Sequence, residues 1–106
     1  MHFSINATLL DGCVLAVLEQ GNAYGYSLTQ RLRQEIDISE STLYPVLRRL
    51  QKDNCLTVYD EQFQGRNRRY YSITPAGRNR LAEYRVEWGS YRAKIDHILV
   101  GGMQDG

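Results

Sequence analysis

The spacing of apolar and polar residues predicts a series of helices followed by two strands and a last, long helix. The segment from Ala7 to Glu19 is mostly apolar, which predicts a first helix buried on more than one side. A turn at Gly21 to Gly25 separates it from a short second helix, predicted from Tyr26 to Glu35. Gly12 lies in mid-helix, where glycine is unfavourable. Close approach of another helix, space for a ligand, or simple tolerance would each explain it.

The third predicted helix, SESTLYPVLRRL at residues 39–50, has two faces of different chemistry. Its apolar residues recur at helical spacing and can pack into a core: Leu43, Val46, Leu47 and Leu50. The opposite face carries Ser41, Tyr44 and Arg48, whose side chains can bond phosphates and base edges in a DNA major groove. Ser39 is a suitable N-cap. The pattern indicates a DNA recognition helix, although an ordinary amphipathic helix has the same periodicity.

Two short segments after this helix alternate with the period of half-buried strands, Leu56 to Glu61 and Arg68 to Thr74. The loop between them, predicted at Gln62 to Asn67, contains Gly65 and carries Arg66 at its tip. A basic hairpin directly after two closely spaced helices is typical of a winged helix-turn-helix, in which the wing reaches phosphates or the minor groove. A solvated charged hairpin is the other interpretation.

The last predicted helix runs from Pro75 to Leu99, after a threonine cap and a proline at the first helical position. It is roughly 37 Å long, more than so small a domain can cover with its own core. Its apolar residues form a heptad seam: Leu81, Tyr84, Trp88, Tyr91, Ile95 and Ile98. Together with Leu10 on the first helix, this seam predicts a homodimer. Two-fold symmetry then predicts a palindromic operator in double-stranded DNA, with half-sites about one DNA turn apart.

Trp88 lies in the middle of this seam, flanked by Tyr84 and Tyr91. Near a dimer axis, the two copies of Trp88 would offer flat faces between which a planar apolar or cationic molecule could stack. A tryptophan that only fills the interface is the alternative.

The net charge is only +1 over 106 residues, but for a nucleic-acid partner the distribution of charge along the chain matters more than its sum. Between Gln62 and Ala82 there are five arginines and no acidic residue, which indicates a local basic patch. The chain length fits one domain. The predicted fold class is α+β, mostly α. A winged helix-turn-helix domain at residues 1–74 and a C-terminal dimerisation helix and tail at residues 75–106 are expected to form a single compact unit.

The sequence disfavours several other classes of protein. No apolar run approaches the ~18 residues of a membrane span and no signal peptide is evident, so a cytoplasmic protein without a membrane partner is expected. Cys13 and Cys55 lack the spacing of a metal site and are expected to be small buried hydrophobes. The sequence shows no nucleophile with an evident base, and only His2 and His97 could carry protons near neutral pH. An enzyme, a cofactor and a metal are therefore not predicted.

Three ordered motifs resemble the PadR-like winged-helix transcriptional regulators: YGYSLTQRL at residues 24–32, STLYPVLRRLQKDNCL at 41–56 and RRYYSITPAGRNRL at 68–81. The usual versions in that family read YGYEL, TLYPLLRRLEKEGLL and RKYYRLTEEG. The resemblance covers roughly residues 10–99. A single long last helix with a central tryptophan is similar to the short LmrR-like subfamily of multidrug-responsive repressors.

The resemblance implies two sets of functional residues. The implied DNA contacts are Tyr24, Ser27, Ser41, Thr42, Tyr44, Arg48, Arg66 and Arg68. The implied pocket for a planar aromatic ligand at the dimer axis is formed by Trp88, Ile5, Leu9, Gly12 and Arg92. Gly12 and Arg92 stand where the subfamily carries bulkier or acidic groups, so its preference for cationic drugs is not carried over.

The leading interpretation is a dimeric, sequence-specific DNA-binding transcriptional regulator. It would be a repressor that leaves its operator when a small aromatic effector binds at the dimer interface. The alternative is a winged-helix dimer that serves as a protein-interaction or ligand-sequestering module without operator-specific binding. Sequence-selective binding of DNA distinguishes the two.

Overall fold

A computed structural model describes residues 5–101 of the chain. Its helices are α1 (Ala7–Glu19), α2 (Gly25–Arg33), α3 (Glu40–Lys52) and α4 (Pro75–Leu99), and its strands are β1 (Ala23–Tyr24), β2 (Leu56–Phe63) and β3 (Arg66–Ile73). The strands form one antiparallel sheet in the order β1-β3-β2. The predicted fold class, a mostly helical α+β winged helix-turn-helix with a long C-terminal helix, is confirmed.

Helices α1 and α4 have the bounds that the sequence predicts, and both begin at side-chain caps. The Asn6 side chain accepts a hydrogen bond from the Leu9 N–H at 2.8 Å. At the start of α4, the Thr74 hydroxyl accepts from the Gly77 N–H at 3.0 Å, with Pro75 at the first helical position. These side chains satisfy N–H groups that a helix leaves free at its N-terminus.

The core is rich in leucine and centres on α1, which packs against α2, α3, α4 and β3. The apolar face of α3 is buried in it, as predicted. The largest fully buried apolar side chains are Leu10, Val14, Leu15, Leu18, Leu28, Leu43, Leu47, Leu50, Leu56 and Leu81. Helix α1 is thus the element on which the others are assembled.

Two residues predicted at a dimer interface belong to this core instead. Leu10 is 1% exposed and Leu81 is 2% exposed within one protomer, so neither has surface left for a partner. The first turns of α4 lie against α1 of the same chain, and this packing uses the start of the heptad seam. The prediction for Leu10 and Leu81 was therefore wrong.

Gly12 lies on α1 where this helix contacts α4. A Cβ atom at Gly12 would lie 3.4 Å from Cβ and Cγ of Tyr84 on α4. The two helices are thus in contact at Gly12, and at that distance an alanine methyl group would also fit. Past this crossing α4 buries no residue fully, and the molecule measures 62 × 30 × 21 Å.

The hairpin of β2 and β3, called the wing below, is tighter than predicted. Gln64 and Gly65 have φ angles of 52° and 79° and form a two-residue turn, which requires such left-handed backbone. Both strands therefore extend to the turn, where Phe63 pairs with Arg66. The prediction of a loop at residues 62–67 was wrong. The distal wing is exposed on both faces, so its residues do not alternate between apolar and polar and give no strand pattern in the sequence.

The segment predicted as a turn at residues 21–25 contains a short strand. Ala23 and Tyr24 pair with Tyr71 and Tyr70 of β3, and α2 then begins at Gly25, one residue earlier than predicted, and ends at Arg33. A strand of two residues is too short to show a period in the sequence. Its pairing places Tyr24 beside the wing.

Candidate nucleic-acid interface and adjoining cavities

The outer face of α3 presents hydroxyl, phenol and guanidinium groups. Ser41, Thr42, Tyr44 and Arg48 are exposed on it. At the N-terminus, the Ser39 hydroxyl accepts the Thr42 N–H at 3.3 Å and lies 2.9 Å from the Ser41 hydroxyl. Hydroxyls and free N–H groups at a helix N-terminus suit the binding of phosphate oxygens.

A groove of about 530 Å³ lies between α3, the start of α2 and the wing. It brings together four of the predicted DNA contacts: Tyr24, Tyr44, Arg48 and Arg68. The Tyr44 hydroxyl contacts the start of α2, since a Cβ atom at Gly25 would lie 3.4 Å from that oxygen. The groove therefore joins α3 and the wing into one surface of tyrosine and arginine side chains.

The groove also contains residues that sequence reasoning missed: Tyr26, Gln51, Asn67 and Arg69. Gln51 lies three residues after Arg48, so helical spacing could have identified it. Asn67 gave no such signal and Arg69 was part of the basic patch only, because which wing residues face α3 depends on the hairpin register. Arg69 is partly neutralised by Asp60, whose carboxylate lies 3.5 Å from its Nε.

Arg68 holds the wing against the start of α2. Its guanidinium carbon lies 4.3 Å from the ring centroid of Tyr24 and 4.2 Å from that of Phe63. The Tyr24 ring also meets Tyr70 of β3 edge-on, with 5.7 Å between centroids. A guanidinium that stacks through its faces keeps N–H groups at its edge for hydrogen bonding. Arg68 therefore both orients the wing and contributes positive charge to it.

The remaining predicted DNA contacts, Ser27 and Arg66, have different surroundings. The half-buried Ser27 hydroxyl donates to the Tyr24 carbonyl at 3.0 Å, which leaves its oxygen as an acceptor. Arg66 is exposed beside the wing turn. Neither lines the groove, and their contacts with DNA stay a prediction.

The basic patch seen in the sequence divides into two parts. Arg66, Arg68 and Arg69 belong to the wing, whereas Arg78 and Arg80 lie on α4. Arg78 is 3.9 Å from the Glu19 carboxylate and Arg80 is 3.0 Å from that of Asp53. These two ion pairs connect α4 to the rest of the protomer, and the positive surface next to the groove comes from the wing and α3.

Two further cavities, of about 240 and 330 Å³, lie between α1 and α4. Leu9, Gly12, Tyr84 and Trp88 line both of them, and Ile5 lines the larger. Four of the five predicted ligand residues are thus brought together. Trp88 is 42% exposed, so part of its ring remains open to a partner or ligand.

Arg92, the fifth predicted ligand residue, lines neither cavity within one protomer and is exposed one turn beyond Trp88. The charged residues that do line them are Glu87 in the smaller and Arg85 in the larger. Cys13 also lines the larger cavity, and burial raises the pKa of its thiol, which keeps the group protonated at neutral pH. A role for Arg92 stays a prediction.

Within residues 5–101 there is no group of three or more His, Cys, Asp or Glu side chains that could hold a metal ion. The same stretch of chain contains no helix with the length and apolar character needed to cross a bilayer.

The sequence matches the model of the transcriptional regulator PadR-like family over residues 14–83, more than half of the chain. It is also similar to a transcriptional regulator of Mycobacterium tuberculosis, with 46% identity over 63 residues, which cover 58% of this chain and 59% of that protein. The range matched by the family model includes α3 and the wing.

Two crystal structures are similar over most of the chain. A protein of Streptococcus mutans has a TM-score of 0.87 at 37% identity, and the match covers 95% of each chain. A PadR-like transcriptional regulator of Bacillus cereus has a TM-score of 0.78 at 32% identity, with 86% of this chain and 91% of that chain covered. The similarity therefore extends beyond the winged helix into α4.

Proposed function

Because the chain belongs to the PadR-like family of transcriptional regulators, we propose that it is a homodimeric, operator-specific repressor released by a planar aromatic effector. The observation that carries this proposal is the groove in which α2, α3 and the wing present tyrosine and arginine side chains on one surface. Arginine bonds phosphate oxygens and guanine edges through paired N–H donors. An operator-binding regulator acts on the chromosome, so the proposed location is the cytoplasm.

In the proposed complex, α3 lies in the major groove and the wing lies beside it. Arg48 is exposed in the middle of the outer face of α3 and also lines the groove, which gives it access to base edges and phosphates. Ser41 and Thr42 at the helix N-terminus suit a phosphate, and Arg66 at the end of the wing suits the adjoining backbone or minor groove.

The proposed partner is a second copy of the chain, because α4 carries apolar surface that its own protomer leaves uncovered. Trp88, Tyr91 and Ile98 are 42%, 59% and 69% exposed. They recur at heptad spacing, with Ile95 between them, and such a seam packs against another helix. A two-fold axis through this region would pair the seam with itself and present two α3 helices to a palindromic operator.

The proposed effector site follows from the position of the cavities. They open beside Trp88 on the same apolar surface, so a second protomer would cover them and place another aromatic surface opposite. Flat aromatic rings favour a planar ligand. Glu87 and Arg85 supply charge of both signs at the walls, so the sign of the ligand charge is left open. Membership of the multidrug-responsive subfamily is part of this proposal.

Replacing Arg48 with alanine is expected to weaken operator binding about tenfold or more, because each lost arginine contact to a base or phosphate costs roughly 1–3 kcal/mol. Duplexes would first be selected from a random library with the intact protein. The affinity of the variant for the selected duplex would then be measured by fluorescence anisotropy across a salt series, since phosphate contacts make binding salt-dependent.

The matched control is Arg33→Ala, which removes the same charge from an exposed position at the other end of α2. This variant is expected to bind the duplex nearly as well as the wild type. Equal affinity of the wild type for selected and unrelated duplexes would contradict an operator-specific regulator. That result would favour the ligand-sequestering module instead.

Planar aromatic compounds are expected to quench Trp88 fluorescence in a saturable manner, because the cavities lie against its ring. Trp88 is the single tryptophan of the chain, so the signal has one source. Cationic proflavine and anionic anilinonaphthalene sulfonate would test both charge signs without DNA present. Calorimetry on Trp88→Leu is the control and should show binding at least about tenfold weaker. If no compound changes the emission while operator binding holds, the effector claim fails and the regulator claim stands.

A further inference from the structure

A carboxylate buried inside the protomer connects α1, α3 and α4. Asp11 lies in the apolar helix α1 and is 6% exposed. Its Oδ1 accepts a hydrogen bond from Nη2 of Arg49 on α3, with which it also forms an ion pair. Its Oδ2 accepts from the Tyr84 hydroxyl on α4 at 3.2 Å. Each oxygen of one carboxylate is thus bonded to a different helix.

This carboxylate depends on both partners. A buried charge is costly unless it is paired and hydrogen-bonded, so Asp11 holds Arg49 and Tyr84 in place. Burial, the negative charge of Asp11 and the hydrogen bond to it all raise the pKa of Tyr84. The phenol therefore stays protonated and serves as the donor to Asp11 at neutral pH.

The two partners of Asp11 belong to the two functional regions of the molecule. Tyr84 lines both cavities beside Trp88. Arg49 directly follows Arg48 on α3 and has a half-exposed side chain. Helix α1 packs against both α3 and α4, so the route between the cavities and α3 passes through it.

We propose that Asp11 is a positioning residue that couples the cavities beside Trp88 to the orientation of α3, through Tyr84 on one oxygen and Arg49 on the other. A planar molecule that moves the Tyr84 ring removes a donor from Asp11, and the carboxylate and its Arg49 partner then shift together. This inference rests on the proposed function and assigns the residues through which the effector site would act on the DNA-binding helix. Coupling is reciprocal, so DNA bound at α3 changes the surroundings of Trp88.

Reciprocity allows the test to be made without knowing the effector. The selected duplex would be titrated into the intact protein while Trp88 emission is recorded with excitation that avoids tyrosine. Anisotropy of the labelled duplex would report DNA binding independently. In the wild type, Trp88 emission is expected to change in step with DNA saturation. Tyr84→Phe, which removes only the hydroxyl, and Asp11→Asn, which removes the charge, are expected to lose most of that change.

The matched control is Arg80→Gln, which breaks the Arg80–Asp53 pair. That pair also joins α4 to the end of α3, at 3.0 Å, but Arg80 and Asp53 line neither cavity. The control should keep the full emission change. A merely structural role for Asp11 would lower the midpoint of thermal unfolding without altering the emission change at DNA saturation, so circular dichroism separates the two roles.

Two results would overturn the proposal. One is wild-type Trp88 emission that stays constant while anisotropy reports a saturated duplex. The other is an emission change that survives in both Tyr84→Phe and Asp11→Asn. Failure of the proposed function gives a different outcome, since anisotropy would then show no preference for the selected duplex in the wild type.

Discussion

Replacing Gly77 with alanine is expected to lower the free energy of unfolding by about 3 kcal/mol, the upper end for overpacking a well-filled site. Gly77 is buried in the first turn of α4. A Cβ atom there would overlap the Cys55 carbonyl oxygen and lie 2.8 Å from Cγ1 of Ile73. The Cys55 carbonyl accepts the Thr74 N–H at 3.1 Å, so it cannot withdraw without losing that bond.

The measurement is denaturant unfolding followed by circular dichroism at one protein concentration, because a dimer makes stability concentration-dependent. Gly89→Ala is the matched control, since it is the same change in the same helix with no neighbour within 4 Å of the added Cβ atom. Alanine favours a helix over glycine by roughly 1 kcal/mol, so the control should be as stable as the wild type or more so. Equal stability of the two variants would contradict the close contact at Gly77.

Replacing Tyr91 with glutamate is expected to weaken the proposed dimer by about a hundredfold or more, because burying an unpaired carboxylate costs several kcal/mol. Tyr91 is 59% exposed in the protomer and lies in the middle of the seam beside Trp88. Sedimentation velocity over a range of concentrations would measure the change in dimer dissociation. Operator affinity should fall with it, since a monomer reaches one half-site.

Val86→Glu is the control for this variant. Val86 is 73% exposed on the same helix, between Tyr84 and Trp88 in sequence but on the side away from the seam. It receives the same charge without entering the proposed interface and should leave the dimer intact. A dimer that tolerates Tyr91→Glu as well as Val86→Glu would show that the subunits associate through another surface.

Sequence patterns identified the elements of the fold where each pattern depends on a few neighbouring residues. The caps at Ser39 and Thr74 lie beside their helices, and the two faces of α3 repeat within a few turns. The family motifs have the same local character. These local features are sufficient to predict the outer face of α3 as a candidate DNA contact.

The same patterns were less informative where several elements meet. Gln51 and Arg69 line the groove only because α3 and the wing lie next to each other. The heptad seam indicated that α4 would pack against a helix, but not that its first turns would use α1 of the same protomer. The heptad spacing therefore predicts Leu81 at a dimer interface, whereas the packing buries it in the core of the protomer.

The sequence by itself determined the order of the helices, the apolar and polar faces of α3, the start of α4 and the family. Local backbone preferences and helical periodicity are sufficient for these. Only the tertiary structure decided that Arg68 stacks between Tyr24 and Phe63 and that Asp11 bonds Arg49 and Tyr84. Such contacts join residues far apart in the chain. Their partners depend on how the helices and the wing pack together, and the local spacing of residues does not determine that packing.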